Sequence, residues 1–351
     1  MNDVTLLYGM DVIKGLKQID TESVQCVVTS PPYWGLRNYG VSGQIGLEKT
    51  PSQFVERIVK SLRKIKRVLK NDGTLWINLG DSYAGSGKGG NGEGFDNNSS
   101  KGINSGNIPT GVKPKDLIGV PWRVAFALQA DGWYLRSDII WAKPNPMPES
   151  VLDRPTKAHE YIFLLSKSSR YFYNVDAIRE PHSPETSARL DRGLSETNKW
   201  NTGAPGSTAH AISKPRLNKK KIPAGWHQGT RFRKEHPSES GSAGNGFKGH
   251  SGNFSADGRP LLHPLGRNRR TVWEISTEGY KDAHFATFPT EIPRICILAG
   301  SRPGDLVLDP FSGSGTTGEV AIKLGRRYIG IDLNKNYEQL AKNRIGLFAF
   351  A

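Results

Sequence analysis

Apolar positions in the first half of the chain form two kinds of pattern, short continuous runs and longer stretches with helical spacing. The runs predict buried strands over Val4–Leu7, Val24–Thr29, Thr74–Leu79, Trp133–Trp141 and Glu160–Ser166. The helical spacing predicts helices over Val12–Ile19, Ser52–Leu69 and Pro121–Ala130, with Asn71–Gly73 ending the second of them. Strands that alternate with helices in this way indicate an α/β sheet.

The last quarter of the chain repeats the alternation. It predicts helices over Glu291–Ala299, Gly315–Leu324 and Asn336–Leu347, and strands over Leu306–Leu308 and Tyr328–Ile331. Together with the first half, this pattern predicts a doubly wound, mixed α/β sheet of the Rossmann-like kind.

Two segments lack any periodic apolar pattern. Residues Ala84–Lys113 are rich in Gly, Asn and Ser, which predicts a mobile loop, either a plain linker or a flap that becomes ordered on a partner. Residues 183–271 are rich in Gly, Ser, Asn and Pro and predict a loop-rich insertion. At 351 residues the chain is therefore expected to be one large domain, formed by 1–182 and 272–351, that carries this insertion.

The charge is concentrated in the insertion. The whole chain carries +15, and residues 183–272 hold 16 Lys and Arg against 6 Asp and Glu, a net charge of +10. Such a surface favours a polyanion, and since no apolar run approaches the roughly 18 residues of a membrane span, nucleic acid is preferred over a membrane. The basic side chains singled out for this role are Lys219, Lys220, Lys221, Arg231, Arg233, Arg269 and Arg270.

The remaining composition points to a cytoplasmic protein without a metal site. The N-terminus does not have the pattern of a signal peptide. Cys26 and Cys296 lie in apolar runs without paired spacing or a nearby His cluster, so they are predicted to be buried thiols.

A motif near the C-terminus, Asp309–Thr317, predicts a cofactor site. It places a glycine turn between a strand and a helix, the geometry by which α/β sheets bind nucleotides. A carboxylate at Asp309 would repel the pyrophosphate of a dinucleotide but attract the ammonium and sulfonium of S-adenosylmethionine. Asp332 ends the following predicted strand, where an acid can accept hydrogen bonds from ribose hydroxyls.

A second motif, Thr29–Trp34, predicts a pocket for a planar amine. Ser30 follows a predicted strand, so it should also lie at the carboxyl edge of the sheet. Pro31 and Pro32 stiffen the turn, which leaves the Ser30 hydroxyl and the Pro31 carbonyl as acceptors for an NH₂ group. Tyr33 offers a ring on which an extruded base can stack.

On these two motifs the chain resembles the amino-methylating DNA methyltransferases, and the order of the motifs resembles the permuted β group. In that family a [DNS]-P-P-[YFW] loop is catalytic and an Asp-Pro-Phe-x-Gly-x-Gly-Thr loop binds S-adenosylmethionine. The resemblance implies a catalytic part in 1–182, a DNA target-recognition insert in 183–271 and a cofactor-binding part in 272–351. The implied catalytic loop is Ser30, Pro31, Pro32 and Tyr33, and the implied cofactor loop includes Asp309, Phe311, Gly313, Gly315 and Thr316.

The resemblance also implies softer assignments. Phe288 and Pro289 are similar to the segment that contacts the methionine part of the cofactor, and Asp11 to the acid that meets the adenine amine. The segments Ser137–Lys143, Arg154–Lys157 and His159–Glu160 resemble the border of the base pocket. Double-stranded DNA is the expected partner of a bacterial or phage-encoded protein, monomeric or homodimeric, that can accompany a separate restriction endonuclease.

The base remains open between cytosine and adenine. Serine at the first motif position goes most often with cytosine N4 in the family, and aspartate with adenine N6, although adenine enzymes with serine exist. Carbon-5 methylation is disfavoured because it needs a thiolate and neither cysteine lies in such a loop. The expected reaction is direct transfer to nitrogen, without a covalent enzyme intermediate or a metal.

Three other interpretations remain. A nicotinamide dehydrogenase could use the glycines at 313, 315 and 318, but Asp309 and the basic insert disfavour it. A DNA-binding protein without activity is disfavoured by the intact Ser30, Tyr33 and Asp309. An RNA or protein methyltransferase would share the Pro-Pro-Tyr loop, and the large basic insert favours duplex DNA instead.

Overall fold

A computed structural model of the chain describes residues 3–35, 38–84, 112–185, 263, 265–278 and 288–346. The strands in these residues are β1 Val4–Tyr8, β2 Val24–Thr29, β3 Leu69–Leu79, β4 Tyr134–Ala142, β5 His159–Ser166, β6 Val272–Glu274, β7 Leu306–Asp309 and β8 Arg327–Asp332. The α-helices are α1 Val12–Leu16, α2 Pro51–Val68, α3 Val120–Ala130, α4 Glu291–Gly300, α5 Thr316–Lys323 and α6 Tyr337–Ile345.

Within the described residues the strands form one sheet in the order β1-β8-β7-β2-β3-β5-β4-β6. Strand β5 is antiparallel to its neighbours β3 and β4, and every other pair is parallel, so the sheet is mixed as predicted. Strands β7 and β2 are neighbours, and the next strands in the chain, β8 and β3, lie on opposite sides of this pair. Ligands of α/β sheets bind at the carboxyl ends of strands that meet at such a switch point.

Helices cover both faces of the sheet. One buried cluster joins residues of α1, α2 and α3 to the sheet, and a second joins residues of α4, α5 and α6 to its other face. Helix α2 shows why: Phe54, Ile58, Leu62 and Ile65 are fully buried at helical spacing. Its start is fixed by Thr50, whose hydroxyl accepts from Gln53 N at 3.2 Å.

The prediction that Asn71–Gly73 separates a helix from a strand is wrong. These residues lie inside β3, which starts directly after α2. The register between β2 and β3 passes from Val24↔Leu69 to Cys26↔Thr74, so the polar residues form an irregular bulge. The bulge is held by Gln25, whose Nε2 donates to Asp72 Oδ1 at 3.2 Å.

Most other predicted elements are present with ends shifted by one or two residues, while α1 stops three residues early at Leu16. The sequence did not reveal the 3₁₀ turn Asp176–Ile178 or β6. Strand β6 has three residues, of which only Trp273 is buried, and it exists because it pairs with β4. An apolar pattern of that length carries no periodic signal.

The chain divides into two compact units, residues 1–179 with 268–351, and Glu180–Arg267. In the second unit, Glu180 and Arg267 exchange backbone hydrogen bonds of 2.9 and 2.8 Å, and their side chains pair at 3.1 Å. Residues 186–262 and 264 of the predicted insertion, and 85–111 of the predicted mobile loop, lie outside the described residues. Ala84, the N-terminal residue of that predicted loop, is buried, and its N–H donates to Asp116 O at 2.8 Å.

Candidate active site at the carboxyl edge of the sheet

The two motif loops meet where β2 and β7 end side by side. Thr29 is the last residue of β2 and Asp309 the last residue of β7. The Thr29 hydroxyl donates to Asp309 Oδ1 at 2.6 Å, and both side chains are buried. This hydrogen bond joins the motif Thr29–Trp34 directly to the motif Asp309–Thr317.

Both carboxylate oxygens of Asp309 accept hydrogen bonds from other groups of the protein. Its Oδ1 also accepts from Phe311 N at 3.0 Å, and its Oδ2 accepts from the Thr317 hydroxyl at 2.7 Å. The side chain is 1% exposed, and burial raises its pKa to about 6. Asp309 therefore fixes the course of the glycine turn, and its direct contact with a cofactor stays a prediction.

Asp332 plays a similar part on the neighbouring strand β8. Its Oδ2 accepts from Gly313 N and its Oδ1 from Asn334 N, both at 2.8 Å. Burial raises its pKa to about 6. Its charge also contributes to raising the pKa of Asp309, so a buried and a half-buried carboxyl group share this edge. Such an edge favours a cationic ligand.

One glycine of the turn leaves room for a ligand, while two neighbouring glycines pack closely against the protein. Gly313 has φ +52° and nothing within 4 Å of the position of a Cβ, so this side of the turn is open. Gly315 has φ +81°, and a Cβ there would lie 3.0 Å from that of Ala341. Gly318 lies against Tyr328, where a Cβ would be 2.5 Å from the ring. An open turn beside two carboxyl groups fits a nucleoside that carries positive charge.

Two tyrosines that the sequence analysis did not select form hydrogen bonds with the glycine turn. The Tyr8 hydroxyl lies 2.7 Å from Ser312 Oγ and 2.8 Å from Gly313 O. Ser312 Oγ also lies 2.7 Å from the Tyr328 hydroxyl. Burial raises the pKa of both tyrosines. In the sequence, Tyr8 only follows one apolar run and Tyr328 only begins another, and neither pattern reveals a hydrogen-bond partner in the glycine turn.

The other predicted cofactor residues lie along the same part of the sheet or in its core. Asp11 follows β1 and caps α1, with its Oδ1 accepting from Ile13 N at 2.9 Å. Phe288 is half-buried and Pro289 is buried just before α4. Phe311 packs against the core, and Thr316 is the buried first residue of α5. Their contacts with a cofactor stay predictions.

The predicted catalytic loop, Ser30–Tyr33, is followed by residues that are held by hydrogen bonds. Pro31 is buried, whereas Ser30 and Tyr33 are half-buried. The N–H of Gly35 donates to Gly46 O at 2.8 Å, and the Trp34 indole donates to Glu48 O at 2.9 Å. These contacts fix the residues that directly follow Tyr33.

The Tyr33 hydroxyl lies at the centre of a hydrogen-bonded group. It donates to Glu160 Oε2 at 2.5 Å and accepts from Asn78 Nδ2 at 2.8 Å. Lys143 Nζ lies 2.5 Å from Glu160 Oε1. The Ser30 hydroxyl lies 3.4 Å from that of Tyr33. The structure thus brings residues of the predicted pocket border to the catalytic loop, and adds Asn78, which the sequence analysis did not select.

Further residues of the predicted border belong to the same edge. Lys157 Nζ donates to Asp81 O at 2.8 Å, and burial lowers its pKa. The Asp81 carboxylate accepts from Val120 N at 3.0 Å at the start of α3. Arg154 lies 3.8 Å above the Tyr83 ring and 2.7 Å from Glu149. These contacts order the segment between β4 and β5 beside the catalytic loop.

Only two of the predicted DNA-binding residues are described. Arg269 is half-buried, with its guanidinium 3.5 Å from Ile178 O and 5.5 Å from the Trp273 ring centre. Arg270 is exposed. The predicted contacts at Lys219, Lys220, Lys221, Arg231 and Arg233 lie outside the described residues. All seven DNA contacts stay predictions.

Both cysteines are free and buried, as predicted, and burial raises the pKa of Cys26 to about 12. Neither thiol is therefore suited to nucleophilic attack. Within the described ranges, no cluster of His, Cys, Asp or Glu is arranged to hold a metal ion. No helix in the described part of the chain is long and apolar enough to cross a membrane.

The chain matches the family model of DNA methylases over residues 24–343. It is 42% identical to the Type II methyltransferase M.Cfr9I of Citrobacter freundii over 345 residues, which cover 98% of this chain and 88% of that protein. It is 43% identical to the Type II methyltransferase M.SmaI of Serratia marcescens over 335 residues, with coverage of 95% and 88%.

Solved structures confirm the predicted fold class. The PvuII DNA methyltransferase (cytosine-N4-specific) has a TM-score of 0.57 and 16% identity, with 99% of this chain and 87% of that chain covered. A putative DNA modification methylase from Thermus thermophilus, complexed with S-adenosyl-L-methionine, has a TM-score of 0.50 and 21% identity, with coverage of 97% and 94%.

Proposed function

Because the chain belongs to the DNA methylase family, we propose that it transfers a methyl group from S-adenosylmethionine to N4 of a cytosine turned out of duplex DNA. Family membership contradicts a nicotinamide dehydrogenase. The observation that carries the proposal is the 2.6 Å hydrogen bond from Thr29 to Asp309, which joins the proposed amine-binding loop to the proposed cofactor turn. In-line transfer requires this proximity.

S-Adenosylmethionine is the methyl donor, and its sulfonium supplies an activated methyl group when bound. The open side of Gly313 gives it room beside the turn. Asp332 is proposed to hold the ribose and Asp11 the adenine amine, and Asp309 adds negative charge beside the turn. We infer direct transfer without an enzyme-bound intermediate, because both cysteine thiols, the groups that could attack the base, are buried.

Ser30 and the Pro31 carbonyl are the proposed acceptors for the two hydrogens of the amine. Holding both hydrogens turns the nitrogen lone pair towards the methyl carbon, because the acceptors fix the plane of the NH₂ group. The N–CH₃ bond forms as the C–S bond breaks, and one amine proton then passes to solvent. Tyr33 is proposed to stack on the base.

Cytosine N4 is preferred over adenine N6 because Ser30 is a neutral acceptor at the first motif position. The family resemblance associates serine with cytosine N4. Adenine N6 remains the second candidate, since the same acceptors fit either amine. The basic insert, with its +10 charge, is proposed to bind the duplex and select the target sequence.

The test uses unmethylated plasmid DNA and S-adenosylmethionine with a trideuterated methyl group. After digestion to nucleosides, we expect labelled N4-methyldeoxycytidine, identified by mass and by coelution with a standard that separates it from its 5-methyl isomer. Labelled N6-methyldeoxyadenosine would instead establish the second candidate. Ser30→Ala should abolish most of the product while the cofactor, titrated by calorimetry, still binds, and undiminished turnover would refute the role of Ser30.

A further inference from the structure

The hydrogen bonds around Tyr33 have a defined direction. Glu160 is held by Lys143 at 2.5 Å, and its side chain is 14% exposed. An ionised carboxylate only accepts hydrogen bonds, so Tyr33 must be the donor in its 2.5 Å contact with Glu160 Oε2. The pKa of Tyr33 is raised well above its usual value by burial and by the Glu160 charge, so the phenol keeps its proton.

With its one hydrogen committed to Glu160, the Tyr33 oxygen can only accept from other neighbours. Asn78 Nδ2 is one donor, at 2.8 Å from Tyr33 and 2.9 Å from Glu160 Oε2. The amide is thereby oriented, since both contacts require its NH₂ end to point at the pair. The remaining neighbour is Ser30, whose hydroxyl is directed at Tyr33 at 3.4 Å, the longest contact of the group.

We propose that Glu160, acting through Tyr33, fixes the direction of the Ser30 hydroxyl so that its hydrogen points away from the substrate and its lone pairs face the amine. This inference rests on the proposed function, because it explains how a neutral serine is kept as an acceptor. Glu160 is a positioning residue here, and Lys143 and Asn78 hold it and Tyr33 in place.

The opposite direction of the Ser30 hydroxyl would weaken binding of the substrate amine. A serine whose hydrogen pointed into the pocket would present a donor to an NH₂ group, and two donors cannot bond. The ring of Tyr33 cannot turn away, because Gly80 lies against it so closely that a Cβ there would be 2.5 Å from Tyr33 Cε2. The backbone therefore keeps the phenol within reach of both Ser30 and Glu160.

The test compares Glu160→Gln, Tyr33→Phe and the double variant in single-turnover methylation, with cofactor binding measured by calorimetry. The amide of Glu160→Gln can donate to Tyr33, which then turns its own hydrogen towards Ser30. Methyl transfer should fall by about tenfold or more, since the Ser30 acceptor is lost to the amine, with cofactor affinity unchanged. Removing the phenol oxygen in Tyr33→Phe releases Ser30 and should cost less, about threefold.

The double variant gives the decisive result. If the direction of the hydroxyl matters, Tyr33→Phe should rescue Glu160→Gln, and the double variant should transfer methyl groups as fast as Tyr33→Phe alone. A purely structural role of Glu160 predicts additive losses instead. Additive losses, or a Glu160→Gln variant as fast as wild type, would overturn the proposal.

Asp131→Asn is the matched control, because this carboxylate is also mostly buried, with a 9% exposed side chain, and pairs with Arg63 and Lys66 away from the catalytic loop. It should leave methyl transfer unchanged. If Glu160→Gln does not fold, the Tyr33→Phe variant alone tests the proposal. An unchanged rate of methyl transfer in that variant would also overturn it. A wild type that methylates a different atom refutes the proposed cytosine specificity, while the comparison among variants still tests the direction of Ser30.

Discussion

Replacing Asp309 by Asn should stabilise the cofactor-free protein, although Asp309 lies at the centre of the site. Burial raises its pKa from 3.8 to about 6, so the folded protein holds the carboxylate less well than water does. A shift of about 2 units corresponds to about 3 kcal/mol above pH 7. Asparagine keeps the shape and the acceptor oxygen for Thr29 and Phe311, and its amide can donate to Thr317. It therefore removes most of this cost.

The pH dependence gives the sign of the effect. Because the folded-state pKa is the higher one, the folded protein binds more protons between about pH 4 and pH 6, and stability is lost as the pH rises through that window. The advantage of Asp309→Asn should be about 3 kcal/mol at pH 8 and about half of that at pH 5. Cofactor affinity should fall at pH 8, because the attraction between the Asp309 charge and the sulfonium is lost.

The assay is urea unfolding of both proteins at pH 8 and pH 5, with a calorimetric titration of the cofactor at pH 8. Asp138→Asn, which removes an exposed carboxylate of β4, is the control and should change the unfolding free energy by less than about 0.5 kcal/mol. This expectation is refuted if Asp309→Asn is less stable than wild type at pH 8, or if its advantage does not shrink at pH 5. Either result would mean that burial of the Asp309 charge does not lower the free energy of unfolding.

Other contacts at the same edge give three further expectations. Gly80→Ala places a Cβ 2.5 Å from the Tyr33 ring, so single-turnover methylation should slow by about tenfold while cofactor affinity is kept; parallel losses in both would contradict this. Gly315→Ala combines φ +81° with a 3.0 Å approach to Ala341 and should lower the free energy of unfolding by about 1–3 kcal/mol; an unchanged urea midpoint would argue against the packing described. Asp332, with its pKa raised to about 6 by burial, is partly protonated near pH 6, so binding of the cationic cofactor should release protons, seen as a binding heat that depends on the buffer's ionisation enthalpy. The same heat in all buffers would refute that last expectation.

The sequence by itself determined the order of the longer strands and helices and the positions of the two loops. Continuous apolar runs before Ser30 and Asp309 identify strands, because both faces of a parallel strand are buried and polar residues mark its end. Proline, glycine and acidic residues at fixed spacing then predict what each loop can bind. These are local properties, and a local pattern is sufficient to show them.

The tertiary structure decided which groups face each other. Asp309 was predicted from its charge to attract the cofactor, but the fold buries it between Thr29 and Thr317, where it acts on both loops at once. Asn71–Gly73 has the composition of a loop, yet pairing with β2 keeps it inside a strand as a bulge. Hydrogen bonds between residues far apart in the chain depend on strand order and register, and neither is encoded in a local pattern.

The same holds for Glu160 and Tyr33. The sequence placed Tyr33 in the catalytic loop and Glu160 at the border of the base pocket, but it did not reveal that they share a hydrogen bond of 2.5 Å. That contact exists because β3 and β5 lie side by side and carry Asn78 and Glu160 to the end of β2. The residue types of each loop can thus be read from the sequence. The proposed direction of the Ser30 hydroxyl depends instead on how the strands pair.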